Sequence, residues 1–191
     1  QRSYSSSATS TLAENCSAPT FTLREPPAVA TWQLVTTVPM PITTPLPSNL
    51  SVALGSSAVS LLDITSAYGG LANGGIAVRP IAISNMARET GETVWSPIID
   101  RRQAVSPQGA YLVTSLLKGV VDQGTGAKAR VLGVQGPVAG KTGTTDGYRD
   151  AWFVGYTTDL VIGVWVGFDN ERPIKLTGAQ AALPIWSELA A

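Results

Sequence analysis

Three segments of strand length follow one another near the end of the chain, and they limit the folds that are possible. Residues 138–145, 150–157 and 160–168 each have the length of a strand, and only short turns separate them. Such short connections favour antiparallel neighbours. In the last segment the positions that alternate with Val161 and Trp165 are apolar too, so both faces are apolar. We therefore expect an α+β fold in which helices cover an antiparallel sheet on both faces.

A capping pattern predicts where the first helix begins. Ser60 is followed three residues later by Asp63, which resembles a capping box, and apolar residues then recur at helical spacing. These apolar residues are Leu61, Ile64, Tyr68 and Leu71. Asn73-Gly74-Gly75 ends the helix. Two strands are expected next, over residues 78–87 and 93–95, joined by a hairpin.

A second helix is predicted over residues 107–122, because Ser106-Pro107 supplies a favourable N-cap and first turn. Its pattern predicts a polar, solvent-exposed stripe of Tyr111, Ser115, Lys118 and Asp122. The predicted apolar face consists of Leu112, Val113, Leu116, Leu117, Val120 and Val121. A last helix within residues 178–190 is expected to cover the sheet. It contains Ile185, Trp186 and Leu189.

The residues Lys141-Thr142-Gly143-Thr144-Thr145 combine charge, hydroxyls and glycine on the first of the three strands. On an extended segment we expect the charge and the hydroxyls toward one side of the strand's edge, where they suit a carboxylate. The missing Cβ of Gly143 would let a ligand approach the backbone, whose N–H groups could donate to a developing oxyanion. A Lys-Thr-Gly tripeptide in an ordinary turn is the alternative interpretation.

A phosphate-binding loop is a competing interpretation of Gly140-Lys141-Thr142, and spacing argues against it. That motif needs a glycine five residues before Gly140, where this chain has Gln135, and Gly136 is one position off. It must also open a helix, whereas Gly143 and the apolar run that follows favour strand and turn.

Composition excludes several classes of function. Lys plus Arg and Asp plus Glu both number 13, so no charge excess indicates nucleic acid as a partner. The chain has no His, which excludes a Ser-His-Asp triad within it and removes the commonest metal ligand. Cys16 has no companion for a metal site, so we expect neither a metal nor a cofactor. No segment has the apolar length of a membrane span, so any anchor would lie outside this chain.

The first 45 residues differ in composition from the rest. They are rich in Ser, Thr and Pro, and repeated prolines interrupt helices and sheet ladders. We expect an irregular or disordered segment over residues 1–45, followed by a folded portion over residues 46–191.

Several motifs, taken as a set, resemble one family. Residues 140–145, followed by Asp150-Ala151-Trp152-Phe153-Val154-Gly155-Tyr156-Thr157, are similar to the third active-site motif and the next strand of class A penicillin-binding proteins. These are bifunctional enzymes of bacterial cell-wall synthesis. The resemblance extends over Gly163-Val164-Trp165-Val166-Gly167, Gly124-Thr125-Gly126, Ala67-Tyr68, Ala72-Asn73-Gly74-Gly75 and Ala53-Leu54-Gly55. It covers roughly residues 46 to 188 and implies the C-terminal part of the serine D,D-transpeptidase domain, hence an incomplete form of the β-lactamase/transpeptidase fold.

The resemblance implies peptidoglycan cross-linking by acyl transfer. In the family a Ser nucleophile attacks the D-Ala-D-Ala bond of a stem peptide, and β-lactams mimic that peptide. Carried over, Lys141 would supply positive potential, and the Thr142 and Thr144 hydroxyls, with Gly143 and Thr145 beside them, would hold the substrate carboxylate. The Thr144 N–H would be an oxyanion donor. The resemblance also implies an extracytoplasmic location, at the bacterial inner membrane.

The family's other two active-site motifs cannot be assigned. No Ser-any-Asn triplet occurs, and Thr22-Leu23-Arg24-Glu25 only resembles the start of the helix that carries it. Ser115 and Lys118 match Ser-any-any-Lys, yet on a solvent-facing stripe Lys118 would stay charged and pair with Asp122.

We therefore expect that this chain alone forms no acyl-enzyme, and that the remainder of the domain lies upstream or in another chain. Two alternatives remain open. One is a non-catalytic fragment that binds a carboxylate or a β-lactam, and the other is a degenerate fragment without an independent fold.

Overall fold

The computed structural model describes residues 21–23, 32–34, 50, 52 and 55–191. The chain divides into two compact units, of which the first comprises residues 1–41 and 80–98 and the second residues 42–79 and 99–191. The described elements, in chain order, are β1 (Phe21–Leu23), β2 (Trp32–Leu34), α1 (Leu61–Ala72), β3 (Ile76–Val78), β4 (Met86–Ala87), β5 (Thr93–Trp95), β6 (Arg101–Gln103), α2 (Pro107–Asp122), α3 (Lys128–Val131), β7 (Ala139–Thr144), a short 3-10 turn (Asp146–Tyr148), β8 (Asp150–Tyr156), β9 (Val161–Gly167) and α4 (Ala182–Ala190).

The described strands of the first unit form two short antiparallel pairs. Strand β1 pairs with β2, so Thr22 and Leu23 are extended and do not begin a helix. The rest of the segment over residues 1–45 lies outside the described residues, and its boundary stays a prediction. Strand β4 pairs with β5, which confirms the predicted hairpin, and its turn is closed by a bond of 2.9 Å from the Arg88 N–H to the Glu92 carbonyl.

The strand expected over residues 78–87 is wrong in its extent. Strand β3 ends at Val78 and pairs with β6 in the second unit, while only Met86 and Ala87 belong to the hairpin strand. Pro80 lies between them, and a proline has no N–H to donate, which disfavours a continuous strand ladder there.

The second unit is built around the predicted three-stranded sheet. Its order is β7-β8-β9, and both pairs are antiparallel, as expected from the short connections. The observed strands lie within the predicted segments and end at most one residue inside them. The register pairs Thr142 with Phe153 and Phe153 with Val164, so these three side chains share one face.

Helices cover both faces of this sheet, which confirms the predicted architecture. On one face, buried Phe153 packs edge-to-face on Trp186 of α4 with ring centroids 5.0 Å apart, and Trp186 Nε1 donates to the Ile162 carbonyl at 3.0 Å. On the other face, a Cβ at Gly163 would overlap the Thr65 side chain of α1, so the helix lies directly on the strand.

Local signals place the ends of the first two long helices correctly. Ser60 Oγ accepts from the Asp63 N–H at 3.1 Å, and Ser106 Oγ accepts from the Gly109 N–H at 3.1 Å. Each N-cap therefore satisfies a backbone donor that the helix itself leaves unpaired. After α1, Gly75 has a φ of 91°, and a Cβ there would overlap the Val105 carbonyl.

The predicted apolar face of α2 is only partly correct. Ala110 and Val121 are buried, but Leu112 and Leu116 are 63% and 73% exposed. The inward stripe is Ala110, Thr114, Leu117 and Val121, which has the spacing of one helix face. The polar residue of this stripe, Thr114, has a hydrogen-bond partner, because its Oγ1 lies 2.8 Å from the Tyr156 hydroxyl on β8. The last helix covers the sheet as expected: in α4 Leu183 and Trp186 are buried, whereas Ile185 and Leu189 are exposed.

Candidate active site

Strand β7 forms one edge of the central sheet, and among the described strands only β8 pairs with it. Just beyond its end, the Thr145 N–H donates to the Asp150 carbonyl at 3.1 Å. Successive residues of an antiparallel strand turn their backbone groups alternately toward the partner strand and away from it. Lys141 and Gly143 therefore face β8, whereas Thr142 and Thr144 direct their N–H and C=O groups to the unpaired side. We call this unpaired side of residues 141–145 the β7 edge.

Side chains on β7 alternate between the two faces of the sheet. Lys141 lies opposite Val154, while Thr142 and Thr144 lie opposite Phe153 and Ala151. The expectation that the charge and the hydroxyls project to one side is therefore wrong for the strand itself, because neighbouring side chains point to opposite faces. The exposed Lys141 side chain nevertheless bends back to the β7 edge, where its Nζ donates to the Thr142 carbonyl at 2.9 Å.

Both strand hydroxyls already have protein partners. Thr144 Oγ1 accepts from the Gly178 N–H at 3.0 Å, and Thr142 Oγ1 lies 2.7 Å from Thr125 Oγ1. Thr125 belongs to the turn after α2 and was not among the residues expected at the site. The structure thus brings Lys141, Thr142 and Thr144 to one edge and adds Thr125 to them.

Glycines let other backbone segments approach this strand closely. A Cβ at Gly143 would lie 3.0 Å from the Trp152 Cβ on β8, so the cross-strand neighbour already favours glycine there. A Cβ at Gly178 would overlap the carbonyls of Trp152 and Gly143. The segment before α4 therefore rests directly on the strand and orients the Thr144 hydroxyl.

A hydrogen-bonded turn fixes the end of β7. Thr145 Oγ1 donates to Asp150 Oδ2 at 3.0 Å and accepts from the Asp150 N–H at 2.8 Å. The other carboxylate oxygen, Asp150 Oδ1, accepts from Trp165 Nε1 at 2.9 Å. The Thr145 hydroxyl is therefore used within the turn, and its contribution to the β7 edge is to hold the position of Thr144.

Ser115 and Lys118 lie on the exposed side of α2, in agreement with the predicted solvent stripe. The expected pair between Lys118 and Asp122 is wrong, because Asp122 Oδ1 accepts from Arg130 Nη2 at 2.7 Å. Arg130 donates to this carboxylate from both Nε and Nη2. A lysine ammonium does not offer such a planar pair of donors. Nothing around Ser115 resembles the desolvated Ser–Lys pair that a nucleophile requires.

Tyr68 of α1 is an ionisable residue with a half-buried side chain. Burial raises the pKa of the Tyr68 phenol above its ordinary value of 10.0, and the nearby Tyr156 adds to the effect. Over the described residues, no three His, Cys, Asp or Glu side chains come together as metal ligands. No helix there combines the length and apolarity needed to cross a membrane.

Comparison with known proteins identifies the family. The family model for the penicillin binding protein transpeptidase domain matches residues 41–189. Penicillin-binding protein 1A from Aquifex aeolicus is 38% identical over 138 residues, which are 71% of this chain and 19% of that protein. The chain thus spans about a fifth of the length of the curated relatives it matches.

Solved structures agree with this assignment. Penicillin-binding protein 1A from Haemophilus influenzae matches with a TM-score of 0.66 over 72% of this chain and 26% of that one. Its sequence is 23% identical, so this match supports the fold alone. Penicillin-binding protein A from Mycobacterium tuberculosis, solved as a ceftriaxone acyl-enzyme complex, matches with a TM-score of 0.55 at 26% identity, over 66% of this chain and 31% of that one. With its β-lactamase/transpeptidase fold and its matched residues, the chain belongs to the family of penicillin-binding protein transpeptidase domains, among the class A members.

Proposed function

We propose that the β7 edge binds the terminal carboxylate of a peptidoglycan stem peptide, or of a β-lactam, within a serine-type D,D-transpeptidase. The observation that carries this proposal is the convergence of the Lys141 ammonium, the Thr144 hydroxyl and the outward Thr144 N–H at one unpaired strand edge. These are hydrogen-bond donors on a solvent-accessible surface, and a carboxylate supplies only acceptors.

The donor count supports an anionic ligand. Lys141 Nζ has three N–H donors, and one of them binds the Thr142 carbonyl, which leaves two. Thr144 Oγ1 acts as acceptor toward the Gly178 N–H, so its own proton remains to be donated. The Gly178 contact thus orients this hydroxyl before a ligand arrives, which lowers the entropy cost of binding.

The outward Thr144 N–H is the proposed oxyanion donor. In the proposed reaction a Ser hydroxyl adds to the carbonyl of the penultimate D-Ala, an ester forms, and the terminal D-Ala leaves with the serine's proton. An amine of a neighbouring stem peptide then attacks the ester and frees the serine. Negative charge develops on the carbonyl oxygen in both steps, and one lost donor typically costs a factor of about 10² to 10³ in rate.

The nucleophile is proposed to come from the remainder of the domain, upstream or in another chain. The ceftriaxone acyl-enzyme of the Mycobacterium tuberculosis relative supports covalent chemistry in this family. The apolar side chains of Tyr111, Leu112 and Leu116, all exposed on α2, support a further protein layer against this helix. Peptidoglycan as substrate implies an extracytoplasmic location.

Labelling with a fluorescent penicillin, followed by denaturing electrophoresis, tests the absence of a nucleophile. We expect the 191-residue chain to give no covalent band, because Ser115 and Lys118 are exposed and far from the required environment. A band that survives Ser115→Ala would reveal an unrecognised nucleophile in this chain. A band that Ser115→Ala abolishes would make Ser115 the nucleophile and contradict its assignment to a solvent stripe.

A non-catalytic module that binds a carboxylate or a β-lactam is the second candidate. It is favoured by one observation: the donors of the β7 edge are already ordered in a chain to which no nucleophile can be assigned. Co-expression with the N-terminal part of a related transpeptidase domain separates the two. A penicillin-labelled band from the pair supports the enzyme, and reversible binding with no band from the pair supports the module.

A further inference from the structure

We propose that Thr125 is a further substrate-positioning residue, which acts with Thr142 as one hydroxyl pair at the β7 edge. This inference rests on the proposed carboxylate site and extends it by one residue. The two Oγ1 atoms lie 2.7 Å apart, although Thr125 belongs to the turn after α2 and Thr142 to β7. Gly124-Thr125-Gly126 is one of the segments that resemble class A penicillin-binding proteins, but that resemblance assigned Thr125 no role.

The pair has one proton that it does not use internally. Each threonine hydroxyl has a single proton, and one of the two protons forms the bond between the oxygens. Whichever hydroxyl accepts that bond keeps its own proton. Neither hydroxyl has a further hydrogen-bond partner within the described part of the chain. The pair therefore offers one O–H donor to a ligand, whichever way its internal bond runs.

The turn that carries Thr125 is held in place from both sides. The N–H groups of Gly124 and Gly126 donate to the same Val120 carbonyl, at 3.1 Å and 3.0 Å. A Cβ at Gly124 would lie 2.9 Å from the Val120 Cα, so the turn folds tightly onto the end of α2. A donor fixed in advance loses little freedom when it binds.

A second clamp spans the same turn. Arg130 of α3 donates to the Asp122 carboxylate at the end of α2, and its Nη1 donates to the Gly136 carbonyl at 2.8 Å. The residues before and after Thr125 are thereby tied together. Thr125 itself is exposed and Thr142 is half-buried, so the pair remains accessible to a ligand from the Thr125 side.

The pair lies within reach of the same carboxylate as Thr144. Thr142 and Thr144 occupy one face of β7, and residues two apart on a strand are separated by about 6.6 Å. A carboxylate whose two oxygens each accept a bond of about 2.7 Å can bridge hydroxyls at that separation. We infer that one oxygen binds Thr144 and the other binds the free proton of the Thr125–Thr142 pair.

A purely structural role would use the pair as a latch between turn and strand. The two roles make different predictions, because a latch stabilises the fold whether or not a ligand is charged. The positioning role depends on an anionic acceptor, so it should respond to neutralising the ligand's carboxylate. Non-additive losses of the two threonines are expected for either role, since either substitution breaks the bond that they share, so the comparison of acid and ester carries the distinction.

The test is a titration of the ¹⁵N-labelled 191-residue chain with benzylpenicillin and with its methyl ester, followed by amide chemical shifts. The variants are Thr125→Val, Thr125→Ser, Thr142→Val and the double valine variant. Thr90→Val serves as the matched control, because Thr90 is an exposed threonine on the hairpin turn of the first unit. Thermal unfolding of each variant verifies that it is folded.

For benzylpenicillin we expect saturable shifts at Gly143 and Thr144, and a Kd that rises about tenfold or more in Thr125→Val, as for a lost bond to a charged acceptor. Thr125→Ser should restore the wild-type Kd, and Thr90→Val should retain it. The double variant should lose about as much as the larger single loss. The methyl ester should show less than half of the Thr125→Val effect on a logarithmic scale.

Four results would overturn the inference. An unchanged Kd in folded Thr125→Val, while the wild type binds, would remove Thr125 and leave the proposed carboxylate site intact. Equal losses for acid and ester would identify a latch. Additive losses in the double variant would show that the two hydroxyls act independently and not as a pair. Failure of the wild type to show saturable shifts at Gly143 and Thr144 would overturn the proposed carboxylate site together with this extension of it.

Discussion

At the scale of single residues, two tyrosines, Tyr68 and Tyr156, lie between the central sheet and the helices α1 and α2. Tyr156 on β8 shares a hydrogen bond of 2.8 Å with Thr114 of α2, and its ring packs edge-to-face on Tyr68 of α1. Burial, and secondarily Tyr156, raises the pKa of the Tyr68 phenol, since an ionised phenolate would lose its hydration there. The fold therefore favours neutral Tyr68.

This phenol makes the stability of the chain sensitive to alkaline pH. In the unfolded chain it ionises near pH 10.0, whereas the folded chain holds its proton to a higher pH. Its contribution is fully present below pH 10.0 and is lost as the pH rises through the raised folded pKa. We expect the Tm of the wild type to fall more steeply above pH 10 than the Tm of Tyr68→Phe.

The control for this measurement is Tyr111→Phe, because Tyr111 is 73% exposed on α2. It should keep the wild-type slope of Tm against pH. Identical slopes for wild type and Tyr68→Phe would show that Tyr68 ionises as easily in the folded chain as in the unfolded one.

Individual site residues were predictable only where a local motif contains them. Lys141, Thr142 and Thr144 follow from one continuous motif, and the structure brings them to one strand edge. Thr125 is 17 residues away from Thr142, and only the packing of the turn after α2 against β7 makes them neighbours. The position of the Lys141 ammonium was not predictable from strand alternation, which places this side chain on the opposite face from Thr142. Its Nζ reaches the β7 edge through a hydrogen bond to the Thr142 carbonyl.

Among the elements, those with local end signals were predicted well. The Ser60 and Ser106 caps fix the starts of α1 and α2, since a side-chain oxygen three residues before an N–H is a local geometry. Strand β6 was missed, because Arg101, Arg102 and Gln103 are all exposed and have no apolar alternation. The prediction of the buried face of α2 was only partly correct. This helix has apolar residues on more than one face, and the sequence does not reveal which face packs on β7.

The segment before α4 provides a test at the scale of elements. Gly178→Ala would place a Cβ against the carbonyls of Trp152 and Gly143 and push this segment off the sheet. We expect a loss of about 1–3 kcal/mol in the free energy of unfolding, as for an overpacked core position. Urea denaturation of the variant and the wild type measures this loss.

Gly119→Ala is the matched control, because nothing lies within 4 Å of a Cβ built at this position in α2. Removing a helical glycine should stabilise the chain by about 0.5–1 kcal/mol. Gly178→Ala with wild-type stability would mean that the segment is not pressed onto the strand, and that the Gly178 bond to Thr144 is correspondingly loose.

For the molecule as a whole, the apolar surface on α2 is the feature with the clearest consequence for solution behaviour. Leu112 and Leu116 lie one turn apart and are 63% and 73% exposed, with Tyr111 beside them. The curated relatives are about five times longer than the matched region. An exposed apolar surface of this kind is typical of protein interfaces, and in isolation it promotes association.

We therefore expect the isolated chain to self-associate as its concentration rises. Leu112→Lys combined with Leu116→Lys should shift sedimentation-velocity profiles toward the monomer, because charges on both residues oppose burial of this surface. The control is Val131→Lys, at an 85% exposed apolar residue in α3. Monomeric wild type at all concentrations, or an equal effect of the Val131 variant, would argue against α2 as the interface.

The hydrogen bond between Trp165 and Asp150 links strand β9 to the end of strand β7. The Trp165 indole of β9 binds the Asp150 carboxylate, which in turn binds Thr145 just beyond the end of β7. A substitution at Trp165 would therefore disturb the proposed carboxylate site through Asp150 and Thr145. Under the proposed function, a change on β9 would then weaken ligand binding through loss of alignment of β7.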